Sequence, residues 1–595
     1  MKKEFLKNRI MKYIGVILLI ALASSFSACS TSDIEDYYND FIEDSDITND
    51  TAQEEEPETE NEENSDIILS EEDDAEDSLH TIPFYPYRAY EYCTTPICLV
   101  DKDSKQVSCN FKFPGGVPNS DDDKIYLFEV ATFENEDDFN DKEPLAIADK
   151  AKEISMIFAY EKRHLFAKFV PALLSDGKYV ALSKGQFLSN PEGLACNSEP
   201  YPIYESKKGI LLDGTTVGSE MFSNLNVKRV AYNLPLSLIM GETDSEYFPT
   251  IEYEYNGEIY HFNGHQVMIY DSLFKFLTDD GCHITAILLN DWNKEFPQMI
   301  HPMSRNRTAK SLYYSFNTEE EEGVRMMEAV AMFLAERYSN GANGVVCDWV
   351  LANEVNQQTE WNYMATDDLD YYTREFEKSF RTFYNAIKSC YSNAKVYYSI
   401  DHDWNNNRGN NRRFFNGRDI VYTFNECAKE SGNYDWGLAI HPYPAPLTKV
   451  RFWQGEFDKS EEARILTPMN FSTLTSVLTK DDFLDTHGKV RDIAVTELGF
   501  TSKPGERLQA AAFAYCYLII EDNEYINTFL LNRQTDDIEA LKSGLALGIY
   551  NNDYSKKYIA DIFSNIDSER RDEYLDEMLE IIGANSLEEA LELVR

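Results

Sequence analysis

Two stretches of sequence decide the fold, Trp349–Asn356 (WVLANEVN) and Ile493–Phe500 (IAVTELGF). Each is an apolar run with β-branched residues that leads to a glutamate, Glu354 or Glu497, and is followed by loop-like sequence. Such a run is typical of a strand that is buried on both faces in a parallel sheet covered by helices. A carboxylate at the C-terminal tip of the strand does not serve packing, and in a (β/α)8 barrel this rim carries the catalytic groups.

Around these two stretches, predicted strands alternate with longer predicted helices, which is the pattern of βα units. The predicted strands are Gly209–Asp213, Val227–Leu234, Ile284–Leu289, Gly344–Leu351, Lys395–Ile400, Trp436–Ile440, Asp492–Thr496 and Ile526–Leu531. The predicted helices are Gly218–Leu225, His265–Asp279, Glu319–Tyr338, Leu369–Tyr391, Asp419–Ser431, Met469–Leu478 and Glu506–Asn523. This order predicts an α/β fold, a (β/α)8 TIM barrel over residues 206–560, with Glu354 after strand four and Glu497 after strand seven.

Two glutamates at two strand tips can converge on one pocket, and glycoside hydrolysis requires a pair of carboxyl groups. The alternative is that Glu354 and Glu497 only end their strands and lie in water, as most glutamates do. Because each closes an apolar strand at the expected position in the barrel, we favour the catalytic interpretation.

Asn353 directly precedes Glu354, and this Asn-Glu pair with a second glutamate on a later strand resembles the clan-A retaining glycoside hydrolases. The resemblance implies that Glu354 is the acid/base, that Glu497 is the nucleophile, and that Asn353 binds the sugar hydroxyl beside the reacting carbon. It also implies that an aromatic residue or a histidine at the tip of strand six holds the nucleophile or the sugar. His441 and Tyr443 occupy that position in AIHPYP.

The chain departs from this family at two strand ends. Predicted strand eight ends in LLNRQTD (Leu530–Asp536) without the tryptophan of many members, and strand two has no arginine near its tip, although Arg229 lies upstream. These departures concern the contacts to the sugar and leave the carboxylate pair intact. Across residues 80–595 the chain is also similar to a bacterial group of unknown function in which an N-terminal β-domain precedes a glycosidase-like barrel.

Other polar and aromatic side chains at predicted strand ends are candidates for binding a sugar, because a glycan pocket needs hydrogen-bonding groups and flat rings. These candidates are Asn233, Asn290, Asp291, Trp292, Asp401, His402 and Trp404. Each could instead be a loop cap or a core ring. The run Asp401-His402-Asp403 does not predict a metal site, because three adjacent residues on a strand cannot all face one ion. We expect neither a metal nor a cofactor.

Residues 80–205 contain short strand-like runs separated by turn clusters, which predict a small β-sandwich-like domain with one helix around Ala146–Glu153. The role of this domain, packing or glycan binding, is open. Residues 561–595 have an amphipathic pattern that predicts a C-terminal helical cap on the barrel.

The N-terminus has the order of an export signal: basic residues over 2–12, an apolar run over 14–23, and small residues before Cys29. Ser27-Ala28-Cys29 resembles a bacterial lipobox, which implies a lipoprotein signal peptide over residues 1–28 and lipidation of Cys29. An ordinary secretory signal is the alternative. Residues 29–79 are dense in Asp and Glu and predict a disordered acidic tether. We therefore expect an extracellular, cell-surface lipoprotein anchored to the bacterial membrane.

The formal net charge of −49 argues against nucleic-acid binding, which needs a basic surface. We expect a monomer that contacts the membrane only through its N-terminal lipid. Four cysteines in the β-domain could form disulfides, with pairing left open: Cys93, Cys98, Cys109 and Cys196. The remaining five beyond Cys29 are expected to be buried thiols: Cys282, Cys347, Cys390, Cys427 and Cys516.

These features together predict a surface-anchored retaining glycoside hydrolase that cleaves a poly- or oligosaccharide. One alternative is a non-catalytic glycan-binding lipoprotein on the same barrel, which would have no reason to keep two mutually repelling acids. A second is a metal-dependent barrel hydrolase, which the lack of a His-x-His or carboxylate ligand pattern at the strand tips disfavours.

Overall fold

The structure, a computed structural model, describes residues 80–139, 142–306, 311–410 and 412–594. The predicted signal peptide, Cys29 and the acidic tether up to residue 79 lie outside these ranges. Within the described ranges, none of the helices has the length and apolar character needed to cross a membrane.

Residues 80–205, here called the β-domain, form small sheets ahead of the barrel. Their strands are β1 (Thr81–Ile82), β2 (Ile97–Asp101), β3 (Gln106–Lys112), β4 (Val117–Pro118), β5 (Lys124–Val130), β6 (Ala146–Asp149), β7 (Glu153–Ala159), β8 (Lys168–Ser175) and β9 (Lys178–Ala181). The main sheets are β2-β3-β7 and β6-β5-β8-β9, both antiparallel, with a short parallel pair β1-β4. Cys98 and Cys109 face each other on β2 and β3 and form a disulfide.

The helix predicted around Ala146–Glu153 is wrong. Ala146–Asp149 is a strand that pairs with Lys124–Leu127, and Glu153 begins the next strand. The alanines and lysines of this stretch favour a helix locally, but pairing with the edge of a sheet outweighs a propensity of a few tenths of a kcal/mol per residue.

The second part of the chain is a closed barrel of eight parallel strands, which confirms the predicted fold. Its strands in order are β10 (Lys208–Leu211), β11 (Arg229–Pro235), β14 (His283–Leu289), β15 (Val346–Leu351), β16 (Lys395–Asp401), β17 (Gly437–His441), β18 (Ile493–Leu498) and β19 (Ile526–Leu531). All eight overlap the predicted strands. Between the second and third barrel strands lies a hairpin of β12 (Ile251–Tyr255) and β13 (Glu258–Phe262).

The hairpin carries a clear signal that the sequence analysis missed. Its turn is Asn256-Gly257, and both residues have positive φ, 50° and 85°. An Asn-Gly pair between two alternating strands is the preferred two-residue hairpin turn, because Asn and Gly tolerate the left-handed region at low cost.

The helices surround the barrel. They are α1 (Glu220–Ser223), α2 (Leu236–Ile239), α3 (Gly264–Asp279), α4 (Glu321–Arg337), α5 (Gln358–Trp361), α6 (Leu369–Cys390), α7 (Gly417–Glu430), α8 (Phe471–Leu478), α9 (Glu506–Asp522), α10 (Ile538–Lys542), α11 (Ile559–Asn565), α12 (Asp572–Ile582) and α13 (Leu587–Glu592). Short 3-10 turns cover Pro86–Glu91, Lys162–Leu165, Pro191–Leu194, Gly214–Thr216, Pro297–Met299, Pro302–Ser304, Pro468–Asn470 and Asp481–Phe483. The last three α-helices occupy the segment for which a helical cap was predicted.

The barrel interior is filled by side chains from alternate strand positions, as the fold requires. They form one buried cluster of Ala231, Ile287, Leu289, Val350, Tyr397, Ala439, Ala494 and Leu530. The opposite faces of the same strands pack under the helices in the main core. Burial on both faces explains why the strands read as continuous apolar runs.

The β-domain packs on the outer side of helix Leu369–Cys390. Sixteen of the 22 residues of this helix are buried, because the barrel covers one side and the β-domain covers the other. Asn385 on the helix donates its amide to the carbonyl of Leu165 at 2.8 Å, and Gln186 donates to the carbonyl of Glu430 at 2.8 Å. The contact is therefore polar as well as apolar, and it is buried.

Asn385→Ala should destabilise the protein by about 1–3 kcal/mol, because the buried carbonyl of Leu165 loses its donor. Urea unfolding followed by circular dichroism measures this change. Asn393→Ala is the matched control. The side chain of Asn393 also donates to a backbone carbonyl, that of Glu199 at 2.9 Å, but Asn393 is exposed and water can replace its hydrogen bond. Equal losses in the two variants would contradict this account of the interface.

Candidate active site

Glu354 stands just past the end of the fourth barrel strand, in a turn with unusual backbone angles. Ala352 and Glu354 have φ of 64° and 37°, a region that non-glycine residues rarely adopt. Ser399 on the fifth strand holds this turn twice: its Oγ accepts the N–H of Glu354 at 2.9 Å, and its carbonyl accepts the N–H of Val355 at 2.9 Å. The neighbouring strand thus fixes the direction of the Glu354 side chain.

His441, at the end of the sixth strand, lies between the two predicted catalytic carboxylates. Its Nδ1 is 2.8 Å from Oε1 of Glu354 and 3.9 Å from Oε2 of Glu497. Its Nε2 is 3.0 Å from Oγ1 of Thr496. Because both glutamates reach the same ring nitrogen, they face one site although they are far apart in sequence.

Glu497 lies inside the seventh strand and is held by two donors on one oxygen. Tyr443 Oη donates to Oε1 at 2.9 Å, and Asn532 Nδ2 donates to the same Oε1 at 2.9 Å. Asn532 also donates to Tyr443 Oη at 2.7 Å, which closes a triangle of hydrogen bonds. Oε2 of Glu497 is left on the side that faces His441.

Sequence reasoning missed Asn532, Thr496 and Ser399. Asn532 is the residue directly after the eighth strand, where the family resemblance had suggested only the loss of a tryptophan. The available signal was positional: a polar residue at the C-terminal tip of a barrel strand belongs to the rim on which the other site residues lie. Thr496 and Ser399 sit within strands and carried no such signal.

The surroundings of Glu354 and His441 raise the pKa of both groups. Glu354 is only 8% exposed, and burial raises its pKa to about 7, with the nearby charges of Asp401 and Glu497 adding to the rise and the hydrogen bond from His441 opposing it. For His441 burial favours the neutral ring, but its hydrogen bond to Glu354 and the charge of Glu497 outweigh burial and raise its pKa. A proton is therefore kept on the Glu354–His441 pair near neutral pH.

Three further predicted residues have side chains that are not fully buried. Asn233 is exposed within the second strand, two residues before its end at Pro235 and two residues past Ala231, whose side chain faces the barrel interior, so that Asn233 and Ala231 point the same way. Asn353 is partly exposed beside Glu354. Trp292 is partly exposed, and its ring lies 5.7 Å from that of Tyr314.

Trp404 and His402 do not line a cleft, contrary to the prediction. Trp404 is completely buried in the main core, and its Nε1 donates to the carbonyl of Glu461 at 3.0 Å. His402 is 3% exposed, and its carbonyl accepts the N–H of Leu466 at 2.8 Å. The loop that follows the sixth strand folds over both residues and covers them.

Asn290, Asp291 and Asp401 brace loops. Asn290 donates to the carbonyl of Tyr314 at 3.1 Å, and Asp291 accepts the N–H of Ser237 at 2.9 Å. Asp401 is buried and accepts hydrogen bonds from the side-chain amides of Asn356 and Gln357. The prediction that Asp401 binds substrate does not agree with this burial, because its oxygens are already bound within the protein.

The prediction that Asp401, His402 and Asp403 cannot all face one ion is also wrong. Potential ligand atoms of the three residues lie within 4.8 Å of one another, because the strand ends at Asp401 and its alternation no longer applies. The carboxylate oxygens, however, already accept hydrogen bonds from the protein. Asp403 binds the guanidinium of Arg408 at 2.7 Å and the amide of Asn406 at 2.8 Å, so a cation is already present as a side chain.

A second group with this spacing within the described ranges is His301, Glu319 and Glu375. Nδ1 of His301 accepts the N–H of Met303 at 3.2 Å, which places the ring hydrogen of the neutral form on Nε2, the atom that faces the two glutamates. A metal would need that position as a free lone pair. Hydrogen bonding within the protein therefore explains why these three side chains lie close together.

The cysteines agree with the sequence prediction where it was specific. Cys282, Cys347, Cys390, Cys427 and Cys516 are buried free thiols. Of the four cysteines in the β-domain, two are bridged, Cys98 and Cys109, and two are free, Cys93 and Cys196.

Comparison with known proteins finds one matching family and several solved structures of low sequence identity. The model of a family of unknown function, DUF5722, matches residues 200–590. No curated protein matches the chain. Among solved structures, a family 39 glycoside hydrolase from Bacteroides cellulosilyticus WH2 is 13% identical, covers 76% of this chain and 78% of its own, and has a TM-score of 0.40.

Two further solved structures are similar at the same level. The β-glucosidase of Pyrococcus furiosus is 12% identical, with 60% of this chain and 85% of its own covered and a TM-score of 0.40. The β-glycosidase of Thermosphaera aggregans is 15% identical, with 62% and 88% covered and a TM-score of 0.40.

Glu354→Gln should stabilise the protein at alkaline pH and leave it unchanged at acidic pH. The folded protein keeps Glu354 protonated up to about pH 7, whereas the unfolded chain ionises it near 4.5. Between these values the folded state binds more protons, so the contribution of Glu354 to the free energy of unfolding falls as the pH rises. Gln cannot ionise, and the expected gain at pH 8 is on the order of 2–3 kcal/mol.

Thermal unfolding at pH 4 and pH 8 measures this difference. Glu426→Gln, at an exposed position on the helix Gly417–Glu430, is the matched control and should show no pH-dependent gain. A gain for Glu354→Gln that is equal at both pH values would rule out the raised pKa as its cause.

Proposed function

The chain belongs to DUF5722, a family of unknown function, and we propose that it is a retaining glycoside hydrolase that cleaves a poly- or oligosaccharide. One observation carries the proposal: Glu354 and Glu497 come from the fourth and seventh barrel strands and reach the same nitrogen of His441 at the C-terminal rim. Two carboxyl groups beside one histidine, one held protonated by burial and the other bound by two hydrogen-bond donors, are the groups that glycoside hydrolysis uses.

In the first step Glu354 gives its proton to the oxygen of the leaving group. Its buried position and raised pKa keep that proton in place near neutral pH. Glu497 attacks the anomeric carbon from the other side. Because Oε1 is occupied by Tyr443 and Asn532, Oε2 is the oxygen free to form the bond.

In the second step Glu354, now ionised, takes a proton from water, and the resulting nucleophile releases the sugar from Glu497. The hydrogen bonds from Tyr443 and Asn532 then favour the departing carboxylate, because they stabilise negative charge on Oε1. His441 assists this proton transfer, because its Nδ1 can share the proton with Glu354 while its Nε2 remains hydrogen-bonded to Thr496.

The contacts to His441 set an upper limit on the distance between the two carboxyl groups. Retaining enzymes place the two carboxyl groups about 5–5.5 Å apart, and inverting enzymes about 6.5–9.5 Å apart. The distance between Oε1 of Glu354 and Oε2 of Glu497 cannot exceed the sum of their distances to His441 Nδ1, 2.8 and 3.9 Å. This upper limit reaches into the range of inverting enzymes, so retention is proposed from the resemblance to the clan-A glycosidases and is tested by the anomer of the product.

A purely glycan-binding protein is the second candidate, and the burial of Glu354 argues against it. Keeping an acid 8% exposed beside a second carboxylate costs stability, and it contributes nothing to recognition of a neutral sugar that an amide could not provide. Catalysis needs this raised pKa, since a general acid works best when its pKa lies near the operating pH.

We also propose that the chain is exported and held on the outside of the bacterial membrane by a lipid on Cys29. The support is the order of basic, apolar and small residues up to Cys29 and the acidic stretch after it, which would serve as a spacer. A palmitate analogue should label the wild-type protein and not Cys29→Ser. Label in both proteins, or in neither, would speak against the anchor.

Glu354→Ala should slow the hydrolysis of glycosides with poor leaving groups by about 10²–10⁴-fold and that of activated aryl glycosides far less, because acid assistance matters only when the departing oxygen is basic. Azide should partly restore turnover of the activated substrates by replacing the water that Glu354 activates. The measurement is kcat/KM across aryl glycosides of graded leaving-group acidity.

Glu497→Gln is the comparison variant and should lose turnover on both classes of substrate, since an amide cannot form the covalent intermediate. The anomer of the first product, observed by NMR, should match that of the substrate. Equal losses on both classes for Glu354→Ala, with no effect of azide, would remove Glu354 as the acid/base; an inverted product would remove the retaining mechanism.

A further inference from the structure

Two free cysteines meet where the β-domain enters the barrel. Cys196 is exposed on the segment that leads towards the first barrel strand, and Cys390 is buried at the end of helix Leu369–Cys390. The Sγ of Cys196 lies 3.4 Å from the carbonyl oxygen of Cys390. Burial is the main cause that raises the pKa of the Cys390 thiol, and the neighbouring Cys196 adds to the rise.

The backbones of the two segments are joined at the next residues. Asn197 donates its N–H to the carbonyl of Cys390 at 3.0 Å, Ser392 donates its N–H to the carbonyl of Asn197 at 3.0 Å, and Asn197 and Tyr391 form a parallel β-bridge. Neighbouring backbones paired in this way lie about 4.7–4.9 Å apart. A disulfide needs Cα atoms about 4.4–6.8 Å apart, so the bridge sets the two cysteines beside it at a distance that a disulfide can span.

We propose that Cys196 and Cys390 form a disulfide under oxidising conditions, which fastens the segment between the β-domain and the barrel to the end of helix Leu369–Cys390. The β-domain already contains the disulfide Cys98–Cys109, so a compartment that sustains the one supplies the oxidant for the other.

With oxidised glutathione as the oxidant, the reaction runs in two exchanges. The exposed Cys196 attacks as a thiolate, forms a mixed disulfide and releases one glutathione thiolate. Cys390 then attacks Sγ of Cys196 as a thiolate, the bond to glutathione breaks, and the second glutathione leaves. Two electrons pass from the two cysteines to the glutathione disulfide, and the two cysteine protons end on the two glutathione thiols.

The second exchange should be the slow one. Burial raises the pKa of the Cys390 thiol to about 12, so few molecules carry its thiolate at neutral pH. The mixed disulfide at Cys196 should therefore accumulate first and decay into the internal disulfide. Once formed, the link closes a loop that contains the first four barrel strands and Glu354, and it should raise the thermal stability.

The test is peptide mapping of the full chain by mass spectrometry after incubation in a mixture of reduced and oxidised glutathione, with free thiols then alkylated at low pH. The expected result is a linked peptide that joins Cys196 to Cys390, preceded in time by a glutathione adduct on Cys196. The melting temperature of the oxidised protein should exceed that of the reduced protein by a few degrees. Part of this shift should vanish in Cys196→Ser, an exposed position at which serine does not disturb the core.

Cys427→Ser, which removes a buried thiol on another helix, is the matched control and should keep both the linked peptide and the full shift. The Cys98–Cys109 peptide reports whether oxidation took place. If that disulfide is present and Cys196 is recovered only as an alkylated thiol or as a persistent glutathione adduct, the proposal is overturned. A melting shift that is the same in Cys196→Ser and wild type would also overturn it.

Discussion

The contact of Nδ1 of His441 with both glutamates, at 2.8 and 3.9 Å, places a strict demand on the barrel. Strands four, six and seven must end at the same height and face the same way, since a slip of one residue in a strand turns every side chain to the other face. The strand registers meet this demand in sequence: Leu351 pairs with Tyr398, Asp401 pairs with His441, and Ile440 pairs with Val495. The site is thus a product of the closed sheet as a whole.

Once brought together, two identical functional groups are made different by their surroundings. The Glu354 side chain is 10% exposed and turned towards a histidine, whereas the Glu497 side chain is 28% exposed and bound by a phenol and an amide. The first environment retains a proton and the second stabilises a negative charge. The proposed roles of acid and nucleophile need no other chemical distinction, and each depends on residues from a neighbouring strand.

The barrel and its two glutamates could be predicted from sequence because strands buried on both faces leave long apolar runs, and a carboxylate at their end stands out. Ala146–Asp149 was mistaken for a helix because its neighbours in the sheet lie elsewhere in the chain. Trp404 and Asp401 were assigned to the cleft because nothing local shows that a later loop covers one and that Asn356 and Gln357 bind the other. Asn532 was overlooked because its contact to Glu497 joins two strands. The failures share one cause: burial and hydrogen bonding between distant segments.

The helix Leu369–Cys390 is interior on both of its sides, and this has a consequence for how such a protein can change over evolutionary time. Arg381 on this helix lies over the ring of Tyr434 from the barrel at 3.5 Å and over the ring of Phe187 from the β-domain at 5.1 Å. Because this helix packs against the barrel and the β-domain at once, a substitution on it that suits the barrel must also be tolerated by the β-domain. A change in the β-domain or in the barrel at this contact therefore has to be tolerated by the other part of the chain.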